Sequence, residues 1–276
     1  MRLANLVVSG LGIIAIAAAV YMSWIWRHLP LLAPSQEAVE SSLGSRFGVA
    51  IRSVAAVFAA GVLSGLLVIG LVGRLVMRIL GATSSDAQGV LTDADQIVGE
   101  ITFGGTFGFL IFVGLLGGII TTLAYLIFRS WLPANAGSAG LVSAVLVIGF
   151  FGVGGSALSP ENRDFQILTP KWLAIALVVG TGLLFALTFT ALAARLDQFA
   201  KSPSERRFLL YPSFVVGLIP PVAFAAIVHV AVRTIPRSKY EAFTQNPRVR
   251  SLGHLVVSLA TILAAFRSLR AVVKIF

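Results

Sequence analysis

Long apolar runs separated by short polar stretches make up most of the chain. Each run approaches the about 20 residues that a helix needs to cross the hydrocarbon core of a bilayer at 1.5 Å per residue. Inside lipid a segment must satisfy its own backbone hydrogen bonds, which a helix does and an open strand does not. The pattern therefore predicts seven membrane-spanning helices, over residues 3–26, 50–73, 104–128, 140–158, 172–193, 211–232 and 252–266.

The first run has an alternative interpretation. Arg2 followed by apolar residues and three consecutive alanines is also the pattern of a secretory signal peptide. The apolar sequence continues, however, through Tyr21, Trp24 and Trp26, which is typical of an aromatic belt at a membrane surface. This continuation favours an uncleaved first helix.

The last run also has two interpretations. Its uninterrupted apolar part covers only residues 255–266, and Arg267, Arg270 and Lys274 then follow on one helical face. Such a segment either spans the membrane and leaves it, or bends onto the surface as an amphipathic tail. We favour the span, so the fold class is an all-α transmembrane bundle of about seven helices. Six helices plus an amphipathic C-terminal helix is the alternative.

Composition agrees with a membrane protein. The chain is 57% hydrophobic and 12% charged, whereas a soluble domain carries roughly 25% charged residues. The net charge of +10 comes from Lys and Arg that flank the apolar runs, where they contact phosphate head groups. No nucleic-acid recognition motif accompanies them. We expect a single integral membrane domain over residues 1–276, multi-pass in the cell membrane, with the bilayer as its main partner.

Orientation follows from alternating spans. Lys and Arg are almost evenly divided between the two sides, so the positive-inside rule does not decide for the whole chain. The residues up to Arg207 favour an N-terminus outside the cell. Alternation also places residues 233–250 on the side of the N-terminus and the C-terminal tail on the opposite side.

Pairs of glycines four residues apart predict where helices touch. Close backbone approach drives helix association in lipid, and small residues permit it. We expect these pairs to pack within the bundle, with a dimer face as the alternative. The pairs are Gly61 and Gly65, Gly104 and Gly108, and Gly114 and Gly118.

A polar stretch after the second span holds four of the eleven acidic residues. If the spans alternate, the loops after the second and fourth spans lie on one side and form a polar cap from residues 74–103 and 159–171. A bidentate Arg–carboxylate pair is the best geometry for such charges. We therefore expect Arg74 or Arg78 to pair with Asp93, Glu100 or Asp164. The candidate cap residues are Arg74, Arg78, Asp93, Asp95, Glu100, Arg163 and Asp164.

Several of these residues belong to longer motifs. The motifs are Gly73-Arg74-x-x-Met77-Arg78, Thr92-Asp93, Gly99-x-x-Thr102-x-Gly104-Gly105-Thr106 and, later, Asp164-Phe165-x-x-Leu168-x-Pro170-x-Trp172. Together they resemble a family of uncharacterised bacterial integral membrane proteins. The resemblance covers about residues 60–190. It implies a multi-spanning helical protein of bacteria and no assigned activity.

The sequence offers little support for chemistry. His28, His229 and His254 lack metal-ligand spacing, and Asp93-x-Asp95 stands without a nucleotide site, so we expect no cofactor and no metal. Few ionisable residues fall within the spans, which disfavours ion-coupled transport. The leading hypothesis is a non-catalytic membrane protein that binds a lipid or a partner protein, including a second copy, through the cap. The alternatives are a transporter or channel for a small solute, shaped by a kink at Pro220-Pro221, and an enzyme acting on a lipid-linked substrate.

Overall fold

The computed structural model describes residues 2–31, 43–92, 97–98, 102–155, 157–200 and 246–276. Within these ranges the chain is a helical bundle that contains two isolated β-bridges and no strand. The predicted all-α fold is confirmed. Five helices are long and apolar enough to cross a membrane, namely Val7–Trp26, Arg52–Thr83, Phe103–Phe128, Lys171–Phe199 and Pro247–Ile275.

Several of the long helices contain π-helical segments. The α-helices are α1 (Arg2–Trp26), α2 (Leu43–Ser64), α3 (Gly73–Thr83), α4 (Phe103–Gly108), α5 (Leu116–Phe128), α6 (Ala136–Leu146), α7 (Asp164–Ile167), α8 (Lys171–Ala200) and α9 (Pro247–Ile275). The π-helical segments are π1 (Gly65–Val72), π2 (Phe109–Leu115) and π3 (Val147–Gly152). They join α2 to α3, join α4 to α5, and extend α6.

Six of the seven predicted runs fall on described helices. The run at 140–158 is shorter than expected, because its helix ends at Gly152 and a loop follows. The run at 211–232, with the expected kink at Pro220, lies outside the described residues. The first helix packs against α8 and π1 as a member of the bundle.

The helix ends define two sides of the bundle. On the Arg129 side, Leu31 N–H donates to Ala134 O at 3.0 Å and joins the end of α1 to the loop before α6. Arg129 itself caps the end of α5 on this side. On the opposite side, which we call the Arg74 side, Ser84 after α3 bonds to Thr169 before α8.

The last helix runs in the direction opposite to the one expected. His254 Nδ1 lies 3.1 Å from Trp131 O on the Arg129 side, and Lys171 Nζ donates to Ile275 O at 2.9 Å on the Arg74 side. The expected alternation placed one membrane crossing between the end of α8 and the start of α9. In the structure, α8 ends on the same side of the bundle where α9 begins. The placement of the C-terminal tail was therefore wrong. As one continuous helix of 29 residues, α9 spans the bundle and does not bend onto its surface.

Glycine contacts bring the second and third long helices together. A Cβ added at Gly65 would overlap the carbonyl oxygen of Gly114, and one added at Gly118 would overlap that of Gly61. Backbone therefore lies directly on backbone along this interface, as small-residue motifs permit in lipid. The expected packing of these two glycine pairs is confirmed.

The third glycine pair does not pack in this way. A Cβ added at Gly104 or at Gly108 would meet nothing within 4 Å among the described residues. These glycines therefore make no close contact with the described helices, and their predicted packing within the bundle stays a prediction.

This difference allows a matched comparison on one helix. We expect Gly118→Val to lower the melting temperature in detergent by at least about 5 °C, because overpacking costs roughly 1–3 kcal/mol or more. Gly108→Val is the control and is expected to melt within about 2 °C of the wild type. Equal melting temperatures for the two variants would contradict the backbone contact.

Candidate functional site

Arg74 belongs to the motif Gly73-Arg74-x-x-Met77-Arg78. It projects from α3 and is only 7% exposed. Its Nη2 donates to Thr106 Oγ1 at 3.1 Å, and its Nη1 lies 3.8 Å from Met77 Sδ, one turn further along the helix. The guanidinium carbon is 5.7 Å from the ring centroid of Phe109, within the range of a cation–π contact. The guanidinium is therefore held between the second and third long helices.

The start of the third long helix forms the other wall of this site. Thr102 is its N-cap, and Thr102 Oγ1 accepts a hydrogen bond from Gly105 N at 3.1 Å. Thr106 Oγ1 donates to Thr102 O at 2.9 Å while it accepts from Arg74. The positive end of this helix dipole and the Arg74 guanidinium are thus directed to the same region.

The expected carboxylate partner of Arg74 is not found among the described residues. Arg74 bonds to a hydroxyl and a thioether, and its Nε is enclosed without a hydrogen-bond partner. Asp164 belongs to a separate turn, where its backbone N–H donates to Asn162 Oδ1 at 2.8 Å. The packing of π1 against π2 brings Arg74, at the start of α3, beside Thr106 of the third long helix. The predicted pairing of Arg74 or Arg78 with Asp93, Glu100 or Asp164 stays a prediction.

The remaining candidate residues are spread over the cap. Arg78 is half-buried one turn beyond Arg74, and Arg163 is exposed just before α7. Asp164 is half-buried as the first residue of that short helix. The other three acidic candidates, Asp93, Asp95 and Glu100, lie outside the described residues.

One hydroxyl joins the two loops of the cap. Ser84 Oγ donates to Thr169 O and accepts from Thr169 N, with both distances 2.8 Å. Ser84 is fully buried. The segments after α3 and before α8 are therefore held together on the Arg74 side.

The direction of α9 adds three basic residues to this side. Arg267 lies with its guanidinium carbon 5.6 Å from the ring centroid of Phe150, and Arg270 and Lys274 are exposed. We define the basic face as the seven basic side chains of this side whose exposure the structure describes. They are Arg74, Arg78, Arg163, Lys171, Arg267, Arg270 and Lys274.

The acidic residues of the predicted cap are only partly described. On the Arg74 side the structure describes Asp86, Glu161 and Asp164. Asp93, Asp95 and Glu100 of the same predicted cap lie outside the described residues. The seven described cations lie where the helices end, so they would meet the phosphate level of a bilayer.

A second polar cluster lies on the Arg129 side and was missed by the sequence analysis. Ser53 Oγ donates to Asp197 Oδ1 at 2.5 Å and accepts from Arg129 Nη1 at 3.4 Å. All three side chains are at most 2% exposed. Asp197 compensates the buried cation through the shared hydroxyl, and the cluster joins α2, α5 and α8.

A sequence signal for this cluster did exist. Alternating spans place Ser53, Arg129 and Asp197 on one side, each at the end of an apolar run. Residues at such ends usually contact head groups and water, and we interpreted Arg129 in that way. Only the packing of the three helices shows that the charges are enclosed.

No protein-family profile, curated protein or solved structure matches the chain. Among the described residues, no group of three or more His, Cys, Asp or Glu could hold a metal ion. The two polar clusters and the basic face are therefore the features from which function can be inferred.

Asp197→Asn is expected to destabilise the protein strongly. Removing one partner of a buried ion pair leaves the other charge uncompensated and costs about 3–5 kcal/mol. The melting temperature in detergent should fall by at least about 6 °C. Asp86→Asn is the control, because Asp86 is exposed and should tolerate the same change. A melting temperature of Asp197→Asn equal to that of this control would contradict the compensating role of Asp197.

Ser53→Ala is expected to cost less, about 1–3 kcal/mol, because it leaves two polar partners without their shared hydroxyl. If the three residues act as one network, Ser53→Ala combined with Asp197→Asn should destabilise by less than the sum of the single changes. Chemical or thermal unfolding of the four proteins in one detergent measures this coupling. Strict additivity would show that Ser53 and Asp197 act independently.

Proposed function

We propose that this protein is a non-catalytic, multi-pass protein of the cell membrane that binds anionic lipid head groups through its basic face. The observation that carries the proposal is the group of seven described basic side chains on the Arg74 side, among which Arg270 and Lys274 are exposed at the end of α9. Each cation near an anionic membrane surface contributes about 1 kcal/mol. Together they favour anionic over neutral lipid.

The end of α9 supports lipid as the partner. Arg270 and Lys274 are exposed next to Leu269 and Val273, which are 65% and 66% exposed. Apolar side chains exposed to this degree on a spanning helix face acyl chains. The basic side chains between them extend to the adjacent phosphate groups, as Lys and Arg do at helix ends.

The basic face also has an ordered framework. Lys171 Nζ donates to the carbonyl oxygen of Ile275, which fixes the start of α8 to the end of α9. Ser84 and Thr169 fix the loop after α3 to the loop before α8. The cations therefore come from elements that are connected to one another, which reduces the ordering cost of binding several head groups.

The other hypotheses have weaker support. The transporter hypothesis relied on Pro220, which lies outside the described residues. The enzyme hypothesis relied on Asp93 and Asp95, which also lie outside them, and on Asp164. The resemblance to uncharacterised bacterial membrane proteins agrees with the lipid proposal but assigns no activity.

The two ends of α9 provide a controlled test. We expect the wild type, reconstituted in mixed phosphatidylglycerol and phosphatidylcholine and then released for native mass spectrometry, to retain mainly phosphatidylglycerol. Arg270→Glu combined with Lys274→Glu should remove at least half of that enrichment, because it changes the charge of the basic face by four units. Arg248→Glu combined with Arg250→Glu makes the same change at the opposite end of the helix and should leave the enrichment unchanged.

Two results would contradict the proposal. The first is a wild type that shows no preference for phosphatidylglycerol. The second is an equal loss of the preference in both double variants. The first result would favour the partner-protein form of the hypothesis. The second would show that the charge of the whole chain matters and the basic face does not.

A further inference from the structure

Arg74 carries a buried charge that no described residue neutralises. The guanidinium has five N–H donors, and the structure gives it a hydroxyl, a thioether and a ring face as neighbours, all of them neutral. Its Nε has no hydrogen-bond partner. Arg129 on the opposite side also has one enclosed nitrogen without a hydrogen-bond partner, Nη2, but it shares the Ser53 hydroxyl with Asp197. A buried cation without an anion is costly in a membrane, so the Arg74 site favours an anion.

The third long helix adds positive potential to the same site. The first N–H groups of a helix have no partner within the helix. Here Thr102 Oγ1 accepts from Gly105 N, and no hydrogen bond among the described residues uses the N–H groups of Phe103 and Gly104. Gly104 also has open space where a Cβ would lie, so an incoming group meets no side chain there. Such helix starts bind phosphate through their N–H groups and dipole.

We propose that Arg74 and the start of the helix Phe103–Phe128 form a binding site for one phosphate group. The planar fork of a guanidinium matches two phosphate oxygens. The ring of Phe109 and the hydroxyl of Thr106 hold this fork in one orientation. The phosphate belongs either to a lipid head group or to free inorganic phosphate. This site is separate from the exposed cations of α9 and does not depend on them.

The role of the fork distinguishes this site from a general attraction of anions. A lysine at position 74 would keep the charge but offer a single ammonium group in place of two parallel donors. Thr106→Val would keep Arg74 and remove the hydroxyl that orients its Nη2. Both changes should weaken a defined site, while neither would alter the net charge of the basic face.

The test measures thermal stabilisation of the purified full chain in detergent. The probes are dihexanoyl phosphatidic acid, dihexanoyl phosphatidylcholine and inorganic phosphate, each titrated at constant ionic strength. We expect at least one of the three to raise the melting temperature of the wild type by about 3–6 °C when its concentration reaches ten times its dissociation constant. Stabilisation by a lipid alone identifies a head-group phosphate, and stabilisation by inorganic phosphate as well identifies the phosphate group itself.

The variants test whether Arg74 is responsible for this thermal stabilisation. Arg74→Lys should raise the half-saturating concentration at least tenfold, and Thr106→Val should raise it about threefold to tenfold. Arg248→Gln, which removes an exposed cation on the opposite side of the bundle, should stay within about twofold of the wild type. Thr106→Val keeps the test decisive if a variant at position 74 does not fold.

The proposal is overturned if the wild type responds to none of the three probes. It is also overturned if Arg74→Lys and Thr106→Val both respond like the wild type, or if Arg248→Gln loses as much affinity as they do. Failure here is distinguishable from failure of the lipid-binding face. Retention of phosphatidylglycerol that depends on Arg270 and Lys274 would persist without a site at Arg74.

Discussion

The backbone contact between the second and third long helices determines where both polar clusters form. At its centre Gly61 and Gly65 lie against Gly118 and Gly114, so the two helices are as close as backbone allows. Toward one end the same pair of helices brings Arg74 to Thr106, and toward the other it brings Ser53 to Arg129. A wider separation would remove both hydrogen bonds at once. The glycines therefore act on polar groups that they do not touch.

The two buried arginines differ in how their charge is balanced. Arg129 reaches Asp197 through Ser53, so this cluster needs no outside anion and mainly stabilises the arrangement of three helices. Arg74 has neutral neighbours only among the described residues. An unbalanced charge of this kind costs free energy in the absence of a ligand and makes a ligand more favourable when one is present. The same residue type thus supports structure on one side and, in our proposal, binding on the other.

Sequence periodicity predicted the helices well, because a run of apolar residues in lipid has no alternative to a helix. The sequence also identified Arg74 as a candidate residue, but it could not show that Arg74 would donate a hydrogen bond to Thr106 and not to a carboxylate. The predicted direction of α9 was wrong, because counting apolar runs assumes that each run crosses the membrane once. The cluster of Ser53, Arg129 and Asp197 joins residues 76 and 144 positions apart, and such contacts depend on how helices pack. No local pattern encodes that packing.

The cluster on the Arg129 side also constrains when the helices can assemble during synthesis. Asp197 follows Ser53 by 144 residues, which is roughly 7–30 s of translation at about 5–20 residues per second. Until then Arg129 has no carboxylate from this cluster, although the two helices that carry Ser53 and Arg129 have already been made. These helices must wait near water, head groups or the insertion machinery before their ends can be enclosed. Entry of α8 is therefore the step that encloses this cluster, and a chain truncated before Asp197 would carry an uncompensated cation at the end of α5.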